Sequence, residues 1–202
     1  MTSKMTSRER MLKAMRNQQP DRVPVAPDIS NMIPCRLTGK KFWDIYLYQD
    51  PPLWRAYMEA VKYFGMDGWV YNLDGFSLYE APESGNDSEK NETVIVEKTD
   101  ERIVTRSYTQ RKGQKSKQWS SFVTVYPHAD PPTYLLASKV DMTAPPAKYW
   151  PIEGVKSQKQ GFDLMREALQ RFEERGVIGA FVCPPQLGNP DQGCGYSIYD
   201  YC

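Results

Sequence analysis

Neither sign of charge is in excess, since 26 lysine and arginine residues face 25 aspartate and glutamate residues. This balance predicts neither a nucleic acid nor an anionic membrane as a partner. No apolar run approaches the ~18 residues that a membrane-spanning helix needs. The first residues are polar, include Lys4, Arg8 and Arg10, and lack the apolar core of a secretory signal. We therefore expect a cytoplasmic protein.

Cysteine and histidine are scarce. The four cysteines are irregularly spaced, at Cys35, Cys183, Cys194 and Cys202. Such sparse spacing favours reduced thiols over a disulfide framework. The single histidine, His128, lies between prolines with no cysteine near it, so we expect an exposed loop residue there. Glycine-rich phosphate loops, Ser-His-Asp sets and paired-carboxylate signatures are also missing from the sequence.

The first recognisable element is a capped helix. Thr6 and Glu9 have capping-box spacing, and an apolar stripe follows at Met11, Leu12 and Met15. Pro20 ends the helical pattern because it lacks an amide hydrogen. The β-rich run from Val23 to Pro27 then predicts a short buried strand, and Asp28 follows its carboxyl end.

Two helix–strand units come later in the chain. Asp50, followed by two prolines, predicts the start of a helix that ends at Gly65, with a strand over Trp69–Leu73 after it. Ser157 and Gln160 repeat the capping-box spacing, which predicts a helix through Arg175. Its predicted buried face comprises Phe162, Met165, Leu169 and Phe172. A strand over Val177–Val182 completes the second unit.

Between these units the hydrophobic period changes. Strand-length runs of β-branched and aromatic residues cover 93–97, 102–108 and 119–125, and short polar connections separate them. Connections of that length favour antiparallel hairpins over parallel crossovers. We therefore expect a β-meander inserted at about 92–140, with an extended segment from Thr133 to Val140 at its end.

The chain resembles the uroporphyrinogen decarboxylase family, which also contains methyltransferases that take a methyl group from a corrinoid. The resemblance is carried by the strings 6–15 (TSRERMLKAM), 19–28 (QPDRVPVAPD), 38–46 (TGKKFWDIY) and 65–69 (GMDGW), and it extends from about Thr6 to about Pro185. It implies an α/β fold, a TIM (β/α)8 barrel, which usually needs ~250 residues or more. Only three barrel strands can be counted in the sequence. We therefore expect residues 1–202 to be the N-terminal part of one barrel domain, a fragment that associates nonspecifically when it is produced alone.

Functional groups in such barrels come from the carboxyl ends of the strands. The candidate substrate-binding residues are Asp28, Asn31 and Arg36 after the first strand and Cys183 after the third. Asp74, after the second strand, is the catalytic candidate. The resemblance implies that its carboxylate accepts hydrogen bonds from the substrate, as the decarboxylases' aspartate does from pyrrole nitrogens. The alternatives are a loop cap for Asp74, a surface position for Arg36 and a buried apolar position for Cys183.

The segment after the first strand departs from the family. The decarboxylases carry an Arg-Gln-Ala-Gly-Arg-Tyr segment there, whose cations bind the carboxylates of uroporphyrinogen. This chain has Asp28 in that region, and an acidic group would repel such a substrate. Methyl transfer from a methylated corrinoid to a thiol or related acceptor is therefore the leading interpretation. The alternatives are a porphyrin-biosynthesis carboxy-lyase, uroporphyrinogen decarboxylase itself, and an inactive structural unit.

The resemblance also bears on cofactors and partners. The family's thiol-directed methyltransferases hold zinc with a His-x-Cys pair and a later cysteine, a set that this chain does not contain. Zinc and a corrinoid are implied only for a full-length methyltransferase. The expected partners are a small-molecule substrate, a corrinoid protein and a second copy in a homodimer. An aromatic group could form a flat ligand surface, although we favour packing, and comprises Phe42, Trp43, Tyr46, Tyr48, Trp54 and Tyr57.

Overall fold

The computed structural model describes residues 4–27, 29, 32–70, 89–128 and 144–179. Its helices are α1 (Ser7–Met15), α2 (Met32–Thr38), α3 (Phe42–Tyr46), α4 (Leu53–Phe64) and α5 (Gly161–Phe172). Its strands are β1 (Gly68–Val70), β2 (Glu89–Lys98), β3 (Arg102–Arg111), β4 (Gln118–Pro127), β5 (Trp150–Pro151) and β6 (Gly176–Ile178). None of the helices in these ranges combines the length and apolar character that spanning a bilayer requires.

The main core lies between α4, α5 and a parallel strand pair. β1 and β6 pair in parallel from Gly68 opposite Gly176 to Val70 opposite Ile178. The core residues contributed by the two helices and β1 include Trp54, Met58, Val61, Val70, Leu164, Ala168 and Phe172. The two strands belong to the second and third strands predicted from the sequence. The barrel itself stays a prediction, because the described residues contain only this one parallel pair.

Two glycines allow the parallel strands to approach closely. A Cβ atom on Gly176 would lie 1.9 Å from the carbonyl oxygen of Gly68, and one on Gly68 would lie 2.0 Å from the ring of Phe172. Both distances are far below van der Waals contact. Glycine is therefore required on both sides of the first rung of the pair.

The predicted meander is present as a separate antiparallel sheet. Its strand order is β4-β3-β2-β5, so β5 adds a short fourth strand that the sequence did not predict. The pairing of β3 with β4 has an irregularity in which residues 120–122 of β4 lie opposite Ser107 alone, and Phe122 in this stretch is 79% exposed. One face of the sheet packs on α3 through a second core of Trp43, Leu47, Ile95 and Ile103. The predicted extended segment 133–140 lies outside the described residues.

The predicted buried strand over Val23–Pro27 is wrong. The described residues form no strand there, and the side chains of Val23 and Val25 are 79% and 53% exposed. Pro24 and Pro27 have no amide hydrogen to donate to a strand ladder. The amide of Val25 instead donates to the carboxylate of Asp67, at 2.9 Å.

Two helix starts also differ from the sequence prediction. The N-cap of α4 is Pro52, not Asp50, and α5 begins at Gly161 after Gln160, not after Ser157. Neither N-cap makes a side-chain capping bond. The buried face of α5 is Leu164, Ala168 and Phe172, whereas Phe162 and Leu169, predicted to be buried, are 64% and 41% exposed. The apolar residues of this helix span one wide arc, and the part of it with Leu164, Ala168 and Phe172 packs into the core, while the edge with Phe162 and Leu169 is exposed.

Candidate functional site

The carboxyl ends of β1 and β6 are the part of the fold from which the candidate site is built. Val70 and Ile178 lie opposite each other where the described parts of these strands end. Asp74 and Cys183 follow these ends within a few residues, but both lie outside the described residues. Parallel pairing sends the two chain segments out from the same edge of the sheet.

The third predicted segment borders the same core. Asp28 and Asn31 lie outside the described residues, but Ile29, between them, is buried in the main core. That core also contains Val70, and Ile178 packs against it. Described residues bordering all three predicted site segments therefore meet in one hydrophobic cluster.

Arg36 is the one predicted site residue that lies in a described range. It is exposed in the last turn of α2, a helix that packs against α4. Ile33 and Leu37 of the same helix pack against the main core. The structure thus places the Arg36 side chain on a solvent-accessible side of α2.

The described thiol does not suit nucleophilic chemistry. Cys35 is 6% exposed in a small cluster with Ile45 and Ala56, and it forms no disulfide. Burial raises the pKa of its thiol to about 11. Because the thiolate is the form that attacks electrophiles and binds metals, Cys35 is inert at neutral pH.

The described residues also offer no metal centre. Within them, no group of three histidine, cysteine, aspartate or glutamate side chains is arranged to hold a metal ion. His128 is exposed, as predicted, and its ring contacts Trp43 edge-on at 5.5 Å between centroids. The zinc ligands that the resemblance implies for methyltransferases are therefore not found in the described ranges.

A buried charge network was missed by the sequence analysis. Arg10 and Asp67 form an ion pair, and their side chains are only 2% and 0% exposed. Arg10 also forms a bidentate salt bridge with Asp21, in which Nε and Nη2 donate to the carboxylate at 2.6 and 3.0 Å. Arg22 adds a second cation, 2.8 Å from the Asp67 carboxylate. The network joins α1, the bend at Asp21 and Arg22 that follows it, and Asp67, which precedes β1.

Hydrogen bonds keep both carboxyl groups of this network ionised. Contact with Arg10 lowers the pKa of Asp21 to about 2. Burial alone would raise the pKa of Asp67, but the Val25 amide, the Ser7 hydroxyl and Arg10 outweigh it and hold that pKa below its usual value. The charges in the folded state are therefore fixed at neutral pH.

The position of the network indicates a structural role. Asp67 directly precedes β1. The backbone amide of Arg8 in α1 donates to the backbone carbonyl of Glu174, just before β6, at 3.0 Å. The network thus lies at the amino ends of the parallel strands, away from the ends that border the candidate site.

The aromatic group packs, as the sequence analysis favoured. Trp43, Trp54 and Tyr57 are at most 7% exposed. Phe42 and Tyr46 stack on each other with centroids 4.0 Å apart. Trp54 and Tyr57 are buried in the main core, Trp43 is buried in the core under the meander, and Phe42 and Tyr46 pack against the small cluster around Ile45.

No model of a known protein family, no curated protein and no solved structure matches this chain. A functional proposal therefore depends on the residues of the chain itself.

Proposed function

We propose that the protein transfers a methyl group from a methylated corrinoid to a thiol or a related acceptor. The methyl group leaves cobalt without its bonding electrons, so Co(III) becomes Co(I). The acceptor thiol loses its proton, and its sulfur forms the new carbon–sulfur bond. Charge and atoms balance without a further oxidant or reductant.

One observation carries this proposal: Ile29 and Val70 are buried in the same main core, and Ile178 packs against it. These residues border the three segments in which the sequence predicts functional groups. A site that combines Asp28, Asn31, Asp74 and Cys183 requires those segments to leave the core near one another. The packing of the bordering residues supports such a site.

Each candidate residue has a proposed role. Asp74 is the catalytic candidate, because an ionised carboxylate accepts several hydrogen bonds from a polar ligand and holds it in place. Asp28, Asn31, Arg36 and Cys183 bind the substrate. A carboxylate at Asp28 favours a corrinoid over the polyanionic uroporphyrinogen, because like charges in a closed pocket cost several kcal/mol.

Zinc has no assigned position in this proposal. The described residues lack a set of zinc ligands, and the Cys35 thiol, with its raised pKa, does not fit as one. The roles given to the chain's own residues are therefore limited to binding and orienting the substrate.

The test uses the protein produced from its complete reading frame. It is incubated without oxygen with methylcobalamin and a simple alkyl thiol, and the loss of the methyl–cobalt absorption band is followed. Mass spectrometry detects the methyl thioether. We expect the amount of methyl thioether to rise in proportion to the amount of Co(I). A parallel incubation with uroporphyrinogen is expected to yield no coproporphyrinogen.

Asp74→Asn tests the catalytic candidate. The amide keeps the size of the side chain but loses its charge, so turnover should fall ~10²-fold or more while the melting temperature stays within a few degrees. The matched control is Asp100→Asn, the same change at an exposed turn between β2 and β3. Coproporphyrinogen formation, or a stably folded protein without methyl transfer, would contradict the proposed function. Unchanged turnover in Asp74→Asn would remove Asp74 from the site.

A further inference from the structure

A surface cavity of about 420 Å³ lies where α4 and α5 begin. Its lining includes Asp50 and Arg55 on one side and Lys156, Lys159 and Glu167 on the other. None of the residues that line this cavity is a candidate site residue. Its lining residues come from described segments only.

The charges around the cavity do not cancel. Glu167, whose side chain is 17% exposed, is a shared partner of three cations: Arg55 at 2.5 Å, Arg171 at 3.1 Å and Lys159 at 3.5 Å. Contact with Arg55 lowers the pKa of this carboxyl, so it is ionised at neutral pH. Of the five charged residues that line the cavity, three are cations (Arg55, Lys156 and Lys159) and two are carboxylates (Asp50 and Glu167), which leaves one net positive charge.

Neighbouring charges do not remove this excess. Both lining carboxylates have a cationic partner outside the lining: Glu167 pairs with Arg171, and Asp50 lies 3.9 Å from Lys40. The Nε atom of Arg55 is buried and has no hydrogen-bond partner in the described part of the chain. The cavity is thus a concave surface with surplus positive charge.

The segment that carries the two lysines is held in place by the rest of the fold. The amide of Lys156 donates to the carbonyl of Tyr48 at 2.9 Å. The indole nitrogen of Trp54 donates to the Gln158 side chain at 2.9 Å, and Gln158 donates in turn to Gln49. Because this backbone is already ordered, a ligand would have to order only the lysine side chains.

The two helix starts add to the positive potential. The N-caps Pro52 and Gln160 make no side-chain bond to the first turns of α4 and α5. Amide hydrogens of those first turns carry the positive end of each helix dipole. They reinforce a site whose main attraction comes from the lysine and arginine side chains.

We propose that this cavity binds a dianionic phosphate group, either free phosphate or the phosphate of a monoester. Phosphate oxygens can accept hydrogen bonds from Arg55, Lys156 and Lys159 together, while Arg171 and Lys40 offset the two lining carboxylates from outside the cavity. The proposal does not depend on the proposed methyl transfer, because no residue is shared between the two sites.

Isothermal titration with inorganic phosphate at low ionic strength tests the site. The expected dissociation constant for the purified protein is below about 1 mM. Lys159→Gln combined with Lys156→Gln should weaken binding tenfold or more. Lys112→Gln, the same charge change in the exposed turn between β3 and β4, should leave the affinity unchanged. Circular dichroism melting checks that every variant is folded.

Further titrations identify the ligand. A lower dissociation constant for glycerol phosphate than for free phosphate would assign the site to monoesters, and the reverse result would assign it to the free ion. Binding of succinate as tightly as phosphate would overturn the phosphate assignment. A dissociation constant above about 10 mM would overturn the site itself. So would an equal loss of phosphate affinity in the double lysine variant and in the Lys112→Gln control.

Discussion

Replacing Asp67 by asparagine removes the negative charge at the centre of the buried network while keeping the size of the side chain. Arg10, 2% exposed, would then lose one of its two carboxylate partners in a site without access to water. Breaking a buried ion pair by removing one partner costs about 3–5 kcal/mol. Arg10 keeps its contact with Asp21, so we expect a loss near the lower limit, about 3 kcal/mol of unfolding free energy.

Urea denaturation at neutral pH, followed by circular dichroism, measures this loss. For a chain of this size about 3 kcal/mol corresponds to a fall in melting temperature of roughly 6–12 °C. The matched control is Asp163→Asn, which breaks an exposed pair with Arg166 whose side chains are 70% and 74% exposed. That change should cost less than about 0.5 kcal/mol. If the two variants lost equal stability, the network would not be a stabilising feature.

Three further outcomes follow from the structure. The pKa of Asp21 is lowered to about 2 in the folded protein. Its contribution to stability is therefore present above the ordinary carboxyl pKa and is lost as pH falls from about 4 to about 2. Urea denaturation at a series of acidic pH values measures this loss. Cys35, with its pKa raised to about 11, should react with iodoacetamide near pH 8 about 10²-fold more slowly than in urea, as measured by peptide mass spectrometry. Gly176→Ala should destabilise the protein by at least about 2 kcal/mol more than Gly113→Ala, because only its Cβ would collide with the backbone of Gly68; urea denaturation compares the two.

Elements with local signals were predicted well from the sequence. The capping box of α1 forms as expected, with the Glu9 amide 3.1 Å from the Thr6 hydroxyl and the Thr6 amide 2.9 Å from the Glu9 carboxylate. The three long strands of the meander also lie where β-branched runs and short turns predicted them. In these cases the residues that decide the structure are close together in the chain.

Elements that depend on distant residues were predicted poorly. Arg10 appears in the sequence as an ordinary polar residue of α1, and its burial depends on Asp67, 57 positions away. The spacing of Ser157 and Gln160 suggested a capping box, but Gln158 bonds to Trp54 of α4, and the helix begins only at Gly161. A tertiary contact replaced the local one.

The candidate site was predicted from the order of strands and from the resemblance, and only part of it is described. Arg36 lies exposed on α2. Asp28, Asn31, Asp74 and Cys183 lie outside the described residues, and their roles stay predictions. What the structure adds is the shared packing of Ile29, Val70 and Ile178 at their borders.

The pairing of β1 with β6 has a consequence for the order of folding. Gly68 and Gly176 are separated by roughly a hundred residues of chain, whereas the rungs between β2 and β3 connect residues within one hairpin. Closing so long a loop costs conformational entropy before any contact compensates for it. We therefore expect the strands of the meander to pair early. The three-residue parallel pair is expected to close late, when α4 and α5 already have apolar faces against which it can pack.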